Sequence, residues 1–415
     1  VVLSQPEAPT IQKGVVQDGY LVNALVWIDE NGDGQWTHEA LVDKNNNQQV
    51  DDGEYLDANG NGFFDAEPWT ITDASGNFDG LMGTGSLKIQ GWTFNADGSL
   101  PTLDLSTGKV FNGSLSAPEG AKVINPITTL VQSAVASGKT AQEAQALVKS
   151  VLGVSDSLDL LNFDPVASSQ NTAQATDALK VQKAALQVAN LMQVAVDTTS
   201  AAGASNALNV VDSVANSLVA AASATATGST LNLGSSALIS SALSAAADTA
   251  FATQTDSTAK EVLKSQSQSI GAALSEVNTS IDTIVNSALS AGATSGKVDT
   301  ASALVNIVAA QIVAQEQVSA QAQSAVAQGV ISGDTSSTSI NLNLSQSMGL
   351  ALSKVGQVFV AQAGAAPLAV NDQVRLSLPG NNAGTRSALS AMRSRKPSSA
   401  GPSLRYSSSL PALTL

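Results

Sequence analysis

A 14-residue pattern occurs three times in succession between residues 29 and 70 of this 415-residue chain. The copies read DENGDGQWTHEALV, DKNNNQQVDDGEYL and DANGNGFFDAEPWT, and they begin at Asp29, Asp43 and Asp57. Each copy has Asp at position 1, Asn at position 3 and Asp or Asn at position 5. Residues of these types form tight turns, so the pattern predicts a series of loops over this segment.

The spacing of the repeat matches the oxygen ligands that Ca²⁺ requires. A calcium ion takes about six to eight oxygens, and a tight loop directs side chains 1, 3 and 5 and the carbonyl of position 7 toward it. Gly34 and Gly62 at position 6 permit the sharp turn that such a loop needs. The sequence therefore predicts bound Ca²⁺. The candidate ligands are Asp29, Asn31, Asp33, Gln35, Asp43, Asn45, Asn47, Gln49, Asp51, Glu54, Asp57, Asn59, Asn61, Phe63, Asp65 and Glu67.

The three copies depart from an ideal calcium loop in different places. The second has the fullest ligand set, with Glu54 at position 12, but Gln48 replaces glycine at position 6. The outer copies keep the glycine but place Glu39 and Glu67 at position 11, and Thr37 stands at position 9 of the first. The competing interpretation is a solvated acidic region in which Asp and Asn only form turns.

The acidic charge of the chain is concentrated in the same segment. The formal net charge is −15, and residues 29–67 hold 11 acids and one lysine, a net charge of −10. Packed together without cations, these carboxylates would repel one another strongly. The charge therefore favours calcium that rigidifies the loops, and it argues against nucleic acid as a partner.

The remaining composition excludes several kinds of catalytic site. The chain has no cysteine and one histidine, His38, which removes thiol nucleophiles, cysteine–zinc sites and a Ser-His-Asp triad. No stretch of 18 apolar residues occurs, so we predict no membrane span. The chain begins at Val1 without a signal region, which we interpret as a processed or excised piece. We predict that the protein is not an enzyme.

Short apolar segments in residues 1–120 predict strands. Residues 15–16 and 21–28 fit two strands joined by Asp18-Gly19 as a hairpin turn, and residues 68–72 fit a third, followed by a turn at 73–77. We predict a small antiparallel β-sandwich over 1–120, with inserted calcium loops at 29–67.

The residues around the loops resemble a known family. From Gly14 the chain reads G-x-V-x-D-G-Y-L-x-x-A-x-V-x-x-D-x-N, from Asp57 D-x-N-x-N-G-x-x-D-x-E-P, and from Thr72 T-D-x-x-G-x-F. This pattern resembles the calcium-binding β-sandwich modules of large bacterial surface adhesins, such as the B-type repeats of staphylococcal Sdr proteins and carboxypeptidase-regulatory-like domains. The resemblance covers roughly residues 14–120. It implies a secreted, cell-surface protein of adhesin type that binds calcium and has a cell-surface protein or a glycan as partner.

Residues 121–330 carry the signals of an all-α, Ala/Ser-rich helical bundle. Pro126 and Asp164-Pro165 fit helix starts, and Thr140 with Glu143 forms a capping box. Apolar residues then recur at heptad spacing; they are Ile270, Leu274, Val277, Ile281, Ile284 and Ala288. The sequence alone leaves open whether this bundle is a plain packed core or a spacer that drives assembly.

The C-terminal part changes character twice. Alternation at residues 340–344 and a motif at 366–372 predict short strands or the start of an Ig-like repeat over 331–385. Residues 386–415 are basic, rich in Ser and aperiodic, which predicts a disordered tail. A shifted reading frame or truncation would also explain this abrupt change.

Together these features predict an α+β multidomain protein that binds calcium and is displayed outside the cell. Two other functions remain open at this stage. One is a structural assembly protein of S-layer or filament type. The other is a polysaccharide-binding accessory module with Trp36, Trp69 and Trp92 as a stacking platform, although core packing of these side chains is favoured.

Overall fold

The computed structural model describes residues 11–37, 39, 66–92, 100–253 and 257–364. The described residues contain both small sheets and many helices, so the chain belongs to the mixed α+β class. The contacts between residues divide the described chain into two compact units. The first unit contains residues 11–35 and the described residues from 68 to 364. The second contains the described residues from 36 to 67. The boundaries at 120, 330 and 385 stay predictions.

Ten short strands form three sheets within the described residues. The strands are β1 (Ile11–Val16), β2 (Leu21–Val22), β3 (Leu25–Asp29), β4 (Trp69–Ile71), β5 (Asn77–Met82), β6 (Ser86–Gln90), β7 (Leu103–Asp104), β8 (Lys109–Val110), β9 (Ser114–Ala117) and β10 (Val123–Ile124). The sheet orders are β10-β1-β5, β2-β7-β8 and β4-β3-β6-β9. Every pairing is antiparallel except that of β1 with β10, which is parallel.

Strand β3 is central to the largest sheet and is buried on both faces. Val26 and Ile28 point into the main apolar core, and Trp27 on the opposite face is fully buried. Trp27 lies across from Trp69 of β4 and Lys88 of β6 in the strand register. A strand with both faces covered loses the apolar–polar alternation, which explains the continuous apolar run of its sequence.

The predicted hairpin at Asp18-Gly19 is wrong. Strand β1 pairs with β5 and β10, whereas β2 pairs with β7, so the two strands lie in different sheets. Gly19 (φ +129°) and Tyr20 (φ +67°) carry the chain from one sheet to the next. Asp18 is buried there instead of lying at a solvent-exposed turn, because both sheets cover the same core.

In the described part of the chain, eleven α-helices and one π-helical segment follow the strands. The helices are α1 (Pro126–Ala136), α2 (Ala141–Leu152), α3 (Pro165–Ser168), α4 (Ala175–Ala201), α5 (Ala207–Ala224), α6 (Ser236–Ala250), α7 (Thr258–Ser295), α8 (Thr300–Val313), α9 (Ala320–Ser332), α10 (Leu344–Leu352) and α11 (Gln357–Gln362). The π-helical segment Ala314–Ser319 joins α8 to α9.

The local helix signals are confirmed. Helix α1 starts at Pro126, and the capping box of Thr140 and Glu143 opens α2. Gly153 ends α2 in the left-handed conformation (φ +64°), and Asp164 caps α3 by accepting hydrogen bonds from two backbone amides. These signals are reliable because each satisfies backbone groups that a helix end leaves without partners.

The heptad stripe of α7 packs inward over its first part. Ile270, Leu274, Val277 and Ile281 are buried, whereas Ile284 is half-buried and Val285 takes its place in the core. A straight helix drifts by about 20° per heptad, so over the two heptads from Ile270 to Ile284 the seven-residue stripe turns by about 40° toward the edge of the buried face.

Residues 340–344, predicted as a strand, form no strand, and α10 begins at Leu344. The alternation itself is real, because Ile340 and Leu342 are half-buried against the core and Asn341 is exposed. The backbone groups of Asn341, however, bond to the Gln321 side chain of α9 at 2.9 and 3.1 Å. The motif at 366–372 and the tail at 386–415 lie outside the described residues.

The sheets and the helices share one apolar core. Val16 and Ile124 of the sheet β10-β1-β5 belong to the same buried cluster as Ile127 of α1 and Leu179 of α4. A hydrogen bond also crosses this contact, where Ser116 of β9 donates its backbone N–H to the Thr129 hydroxyl at 2.9 Å. The helices therefore cover a face of the sheets within the first unit.

Candidate calcium-binding site

Five of the sixteen predicted calcium ligands are among the described residues. Asp29, Asn31, Asp33 and Gln35 lie in the first unit and form the first loop, and Glu67 lies in the second unit. The other eleven lie outside the described residues; they are Asp43, Asn45, Asn47, Gln49, Asp51, Glu54, Asp57, Asn59, Asn61, Phe63 and Asp65.

The first loop is a chain of tight turns stabilised by its own side chains. The Asp33 backbone N–H donates to Asn31 Oδ1 at 2.8 Å, and the Gln35 N–H donates to Asp33 Oδ1 at 2.7 Å. Both glycines of the loop, Gly32 (φ +73°) and Gly34 (φ +76°), adopt the left-handed conformation; Gly32 precedes Asp33 and Gly34 follows it. Left-handed backbone favours glycine, which explains the two glycines of this copy of the repeat.

Asp29 stands at the start of the loop and is almost entirely buried, with 6% of its surface exposed. It is the last residue of β3, across from Ser86 of β6, so the strand pairing holds its backbone in place. Its carboxylate oxygen Oδ1 is buried without a hydrogen-bond partner. A buried, unpaired carboxylate oxygen is costly, and a cation is one means of compensating it.

Helix α5 lies beside the first loop and also forms an ion pair with Lys88, a positively charged residue near that loop. Gln35 Nε2 donates to Asn209 Oδ1 of α5 at 3.4 Å, and Lys88 of β6 forms an ion pair with Asp212 of α5 at 3.3 Å. A Cβ atom at Gly34 would stand 3.4 Å from Lys88 Nζ. Lys88 was missed at the sequence level, although a single lysine inside an apolar strand was a visible signal.

In the second unit, Glu67 connects two parts of the chain that are 30 residues apart. Its carboxylate oxygen Oε2 accepts the Thr37 backbone N–H at 2.9 Å, and its own N–H donates to the Thr37 carbonyl at 3.0 Å. Glu67 and Glu39 are both buried. This arrangement gives Glu67 a role in closing the loop segment that does not depend on metal.

Asp29, Asn31 and Asp33 together supply fewer oxygens than the six to eight that calcium takes. Within the described ranges, no group of three or more His, Cys, Asp or Glu is arranged to hold a metal ion. The chemistry of the donor set, which is carboxylate and amide oxygen, fits a hard cation such as Ca²⁺.

Two of the three tryptophans considered for a stacking platform lie in the first unit. Trp69 and Trp92 are half-buried, and Trp92 Nε1 donates to the Leu100 carbonyl at 3.0 Å. Trp36 is half-buried in the second unit. The stacking function stays a prediction.

One helix of the described residues, α5, is long and apolar enough to cross a membrane by length and composition, and 44% of it is buried. A helix in a protein core meets the same two criteria.

Comparisons of the chain with protein families, with curated proteins and with solved structures find no match.

Proposed function

We propose that the chain is a non-enzymatic, calcium-binding surface protein of adhesin type that acts outside the cell. In this proposal the three sheets form a small β-sandwich, the helices form a bundle beneath it, and calcium rigidifies the loop segment 29–67. Its partner is a cell-surface protein or a glycan. The observation that carries the proposal is the buried, unpaired Asp29 Oδ1 at position 1 of the repeat.

The charge of residues 29–67 supports an extracellular role. Residues 29–67 carry a net charge of −10, which calcium ions would cancel. Calcium is plentiful outside cells and scarce in the cytosol, so the loops would become rigid only after export. The absence of cysteine and the single histidine favour a binding role over catalysis.

The first test is a calorimetric Ca²⁺ titration of the full chain, combined with thermal melting in Ca²⁺ and in EDTA. We expect binding of one to three ions. A calcium concentration 100 times the dissociation constant adds about 2.7 kcal/mol of stability for one site, so the melting temperature should be higher in calcium. Mg²⁺ serves as the control cation. An absence of both binding heat and any change in melting temperature would refute calcium binding.

The variant Asp29→Asn separates a calcium ligand from a purely structural residue. In EDTA we expect Asp29→Asn to be at least as stable as the wild type, by up to about 1 kcal/mol, because it removes an unpaired buried charge. In Ca²⁺ we expect the order to reverse, because the wild type gains binding energy at the first loop and the variant does not. Denaturant unfolding under both conditions measures this reversal.

A matched control is Asp156→Asn, which removes the same charge from an exposed position between α2 and α3. Its stability should respond to calcium as the wild type does. Equal losses for Asp29→Asn in Ca²⁺ and in EDTA would mean that Asp29 only supports the fold.

The adhesin role needs a second measurement. Light scattering of the full chain with and without Ca²⁺ tests whether calcium drives multimers, and binding to glycan arrays and to bacterial surface extracts tests for a partner. We expect a calcium-dependent partner and a monomeric chain. Concentration-dependent multimers without a partner would instead favour the structural assembly function.

A further inference from the structure

Two carboxylates are buried near one another where the sheets meet the helices. Asp18 lies in the segment between β1 and β2 and is 5% exposed, and Asp104 of β7 is 2% exposed. A Cβ atom at Gly19 would overlap an Asp104 carboxylate oxygen, so the backbone next to Asp18 packs directly on Asp104. These two residues are called the buried acid pair below.

The side chains that hydrogen-bond to the buried acid pair are neutral. Asp104 Oδ1 accepts the Ser106 N–H at 2.8 Å and its hydroxyl at 2.7 Å, and Oδ2 accepts the Thr107 hydroxyl at 2.8 Å. Asp18 Oδ1 accepts from Gln311 Nε2 of α8 at 3.3 Å. The ion pairs of the described residues include neither acid.

Charged and polar groups on the neighbouring elements bond to residues other than the buried acid pair. Tyr20 donates its hydroxyl to Asp164 at 2.8 Å, and Lys109 pairs with Glu316 at 2.9 Å. Gln193 of α4, which lines a cavity of about 10 Å³ together with Asp18, donates to Asp197 at 2.8 Å. Asp164 and Asp197 are further acids and therefore do not compensate the pair.

We infer that Asp18 and Asp104 together retain at least one proton in the folded chain and form a pH-sensitive link that holds the sheets to helix α8. Two adjacent carboxylates without a cation are stable only while at least one of them is protonated. Loss of that proton places two negative charges in the apolar contact, and the segments that carry them separate. The link is closed at low pH and opens as the pH rises.

The titration behaviour agrees with this geometry. Burial, together with the charge of Asp104, raises the pKa of Asp18 well above its usual range, against a smaller effect of the hydrogen bond from Gln311. Burial raises the pKa of Asp104 to about 6, although the bonds from Ser106 and Thr107 oppose the shift. In an opened state both acids return to a pKa of about 3.9.

The direction of the pH effect follows from proton counting. The closed state binds more protons than the opened state between pH 4 and the folded pKa values, so the opening equilibrium constant rises with pH. For Asp104 alone this rise is at most tenfold per pH unit and amounts to about 30-fold between pH 4 and pH 6. Asp18 extends the rise above pH 6.

Hydrogen exchange of the full chain between pH 4 and pH 8 tests the inference, with intrinsic exchange rates corrected for pH and EDTA present to exclude calcium effects. The reporting amides are Leu105, which donates to the Tyr20 carbonyl at 3.1 Å, and Gly356, which donates to the Ser106 carbonyl at 2.7 Å. We expect the opening constant at both amides to rise at least 100-fold over this range, while amides in the middle of α7 change less.

The variant Asp18→Asn should remove the part of the rise above pH 6 and keep the part below it, which burial of Asp104 alone produces. The exposed Asp156→Asn should retain the whole profile. An opening constant that is independent of pH in the wild type, or an unchanged profile in Asp18→Asn, would overturn the inference. If Asp18→Asn does not fold, carboxyl ¹³C titration of wild-type Asp18 and Asp104 decides: at least one midpoint above 5 supports the link, and two midpoints near 4 exclude it.

Discussion

Replacing Gly19 by alanine is expected to lower the free energy of unfolding by about 4 kcal/mol. The backbone at Gly19 has φ +129°, a conformation that residues with a Cβ rarely adopt. The added methyl would also overlap the Ser106 hydroxyl and the Asp104 carboxylate, both of which are buried. These neighbours cannot withdraw, because Asp104 is held by Ser106 and Thr107. Denaturant unfolding at fixed pH and fixed calcium measures the loss.

The matched control for Gly19→Ala is Gly120→Ala. Gly120 also has a positive φ (+77°), but no atom lies within 4 Å of the position where its Cβ would stand. It should therefore lose only the backbone term of about 1 kcal/mol. Equal losses in the two variants would show that the overlap with the buried acid pair has no energetic consequence.

The second large effect is expected for Trp27→Ala, which should cost about 3–5 kcal/mol in unfolding free energy. Trp27 is fully buried in the central strand β3, and its removal leaves a cavity between this sheet and the elements that cover it. Because β3 pairs with both β4 and β6, the surrounding backbone has little freedom to collapse into the space.

Trp27→Phe provides the comparison. The indole Nε1 of Trp27 is buried without a hydrogen-bond partner, so phenylalanine removes an unsatisfied donor while it keeps most of the aromatic volume. We expect a loss of about 1–2 kcal/mol, clearly smaller than that of Trp27→Ala. A loss for phenylalanine as large as that for alanine would mean that the indole nitrogen has a stabilising partner.

The helix ends were predictable from the sequence because capping is local. Asn125 with Pro126, Thr140 with Glu143, and Gly153 each satisfy backbone groups a few residues away, so no distant part of the chain is needed to recognise them. The strand Trp69–Ile71 and the turn after it were predictable for the same reason, since Asp73 Oδ1 accepts the N–H groups of Ser75 and Asn77.

Strand partners were not predictable. Asp18-Gly19 satisfies the local rule for a hairpin turn, yet β1 joins β5 and β10 because their apolar faces complete a core that β2 covers from another sheet. Residues 340–344 have the alternation of a strand, but among the described residues it is the Gln321 side chain of α9, and not a strand, that hydrogen-bonds to the backbone of Asn341. The alternation of apolar and polar residues indicates which face of a segment is buried, but it does not indicate which element packs on that face.

For the candidate site, the repeat alone predicted which residue types would act as ligands and in what order. The sequence did not reveal that Asp29 is buried with an unpaired oxygen, because its burial comes from strand pairing with β6. It also did not reveal the position of Lys88 beside Gly34, which depends on the register of β3 and β6 and on the ion pair with Asp212 of α5.

The sequence by itself therefore determined what depends on neighbours along the chain: the turns of the first loop at residues 29–35, the charge of residues 29–67, the helix ends, and the mixed α+β class. The tertiary structure decided what depends on residues far apart in sequence: the sheet partners, the single core shared by sheets and helices, and the burial of Asp18 against Asp104. The physical reason is that capping and turn formation are local hydrogen-bonding events. The burial of a side chain, and with it the pKa of a carboxyl group, is set by whichever distant segments pack over it.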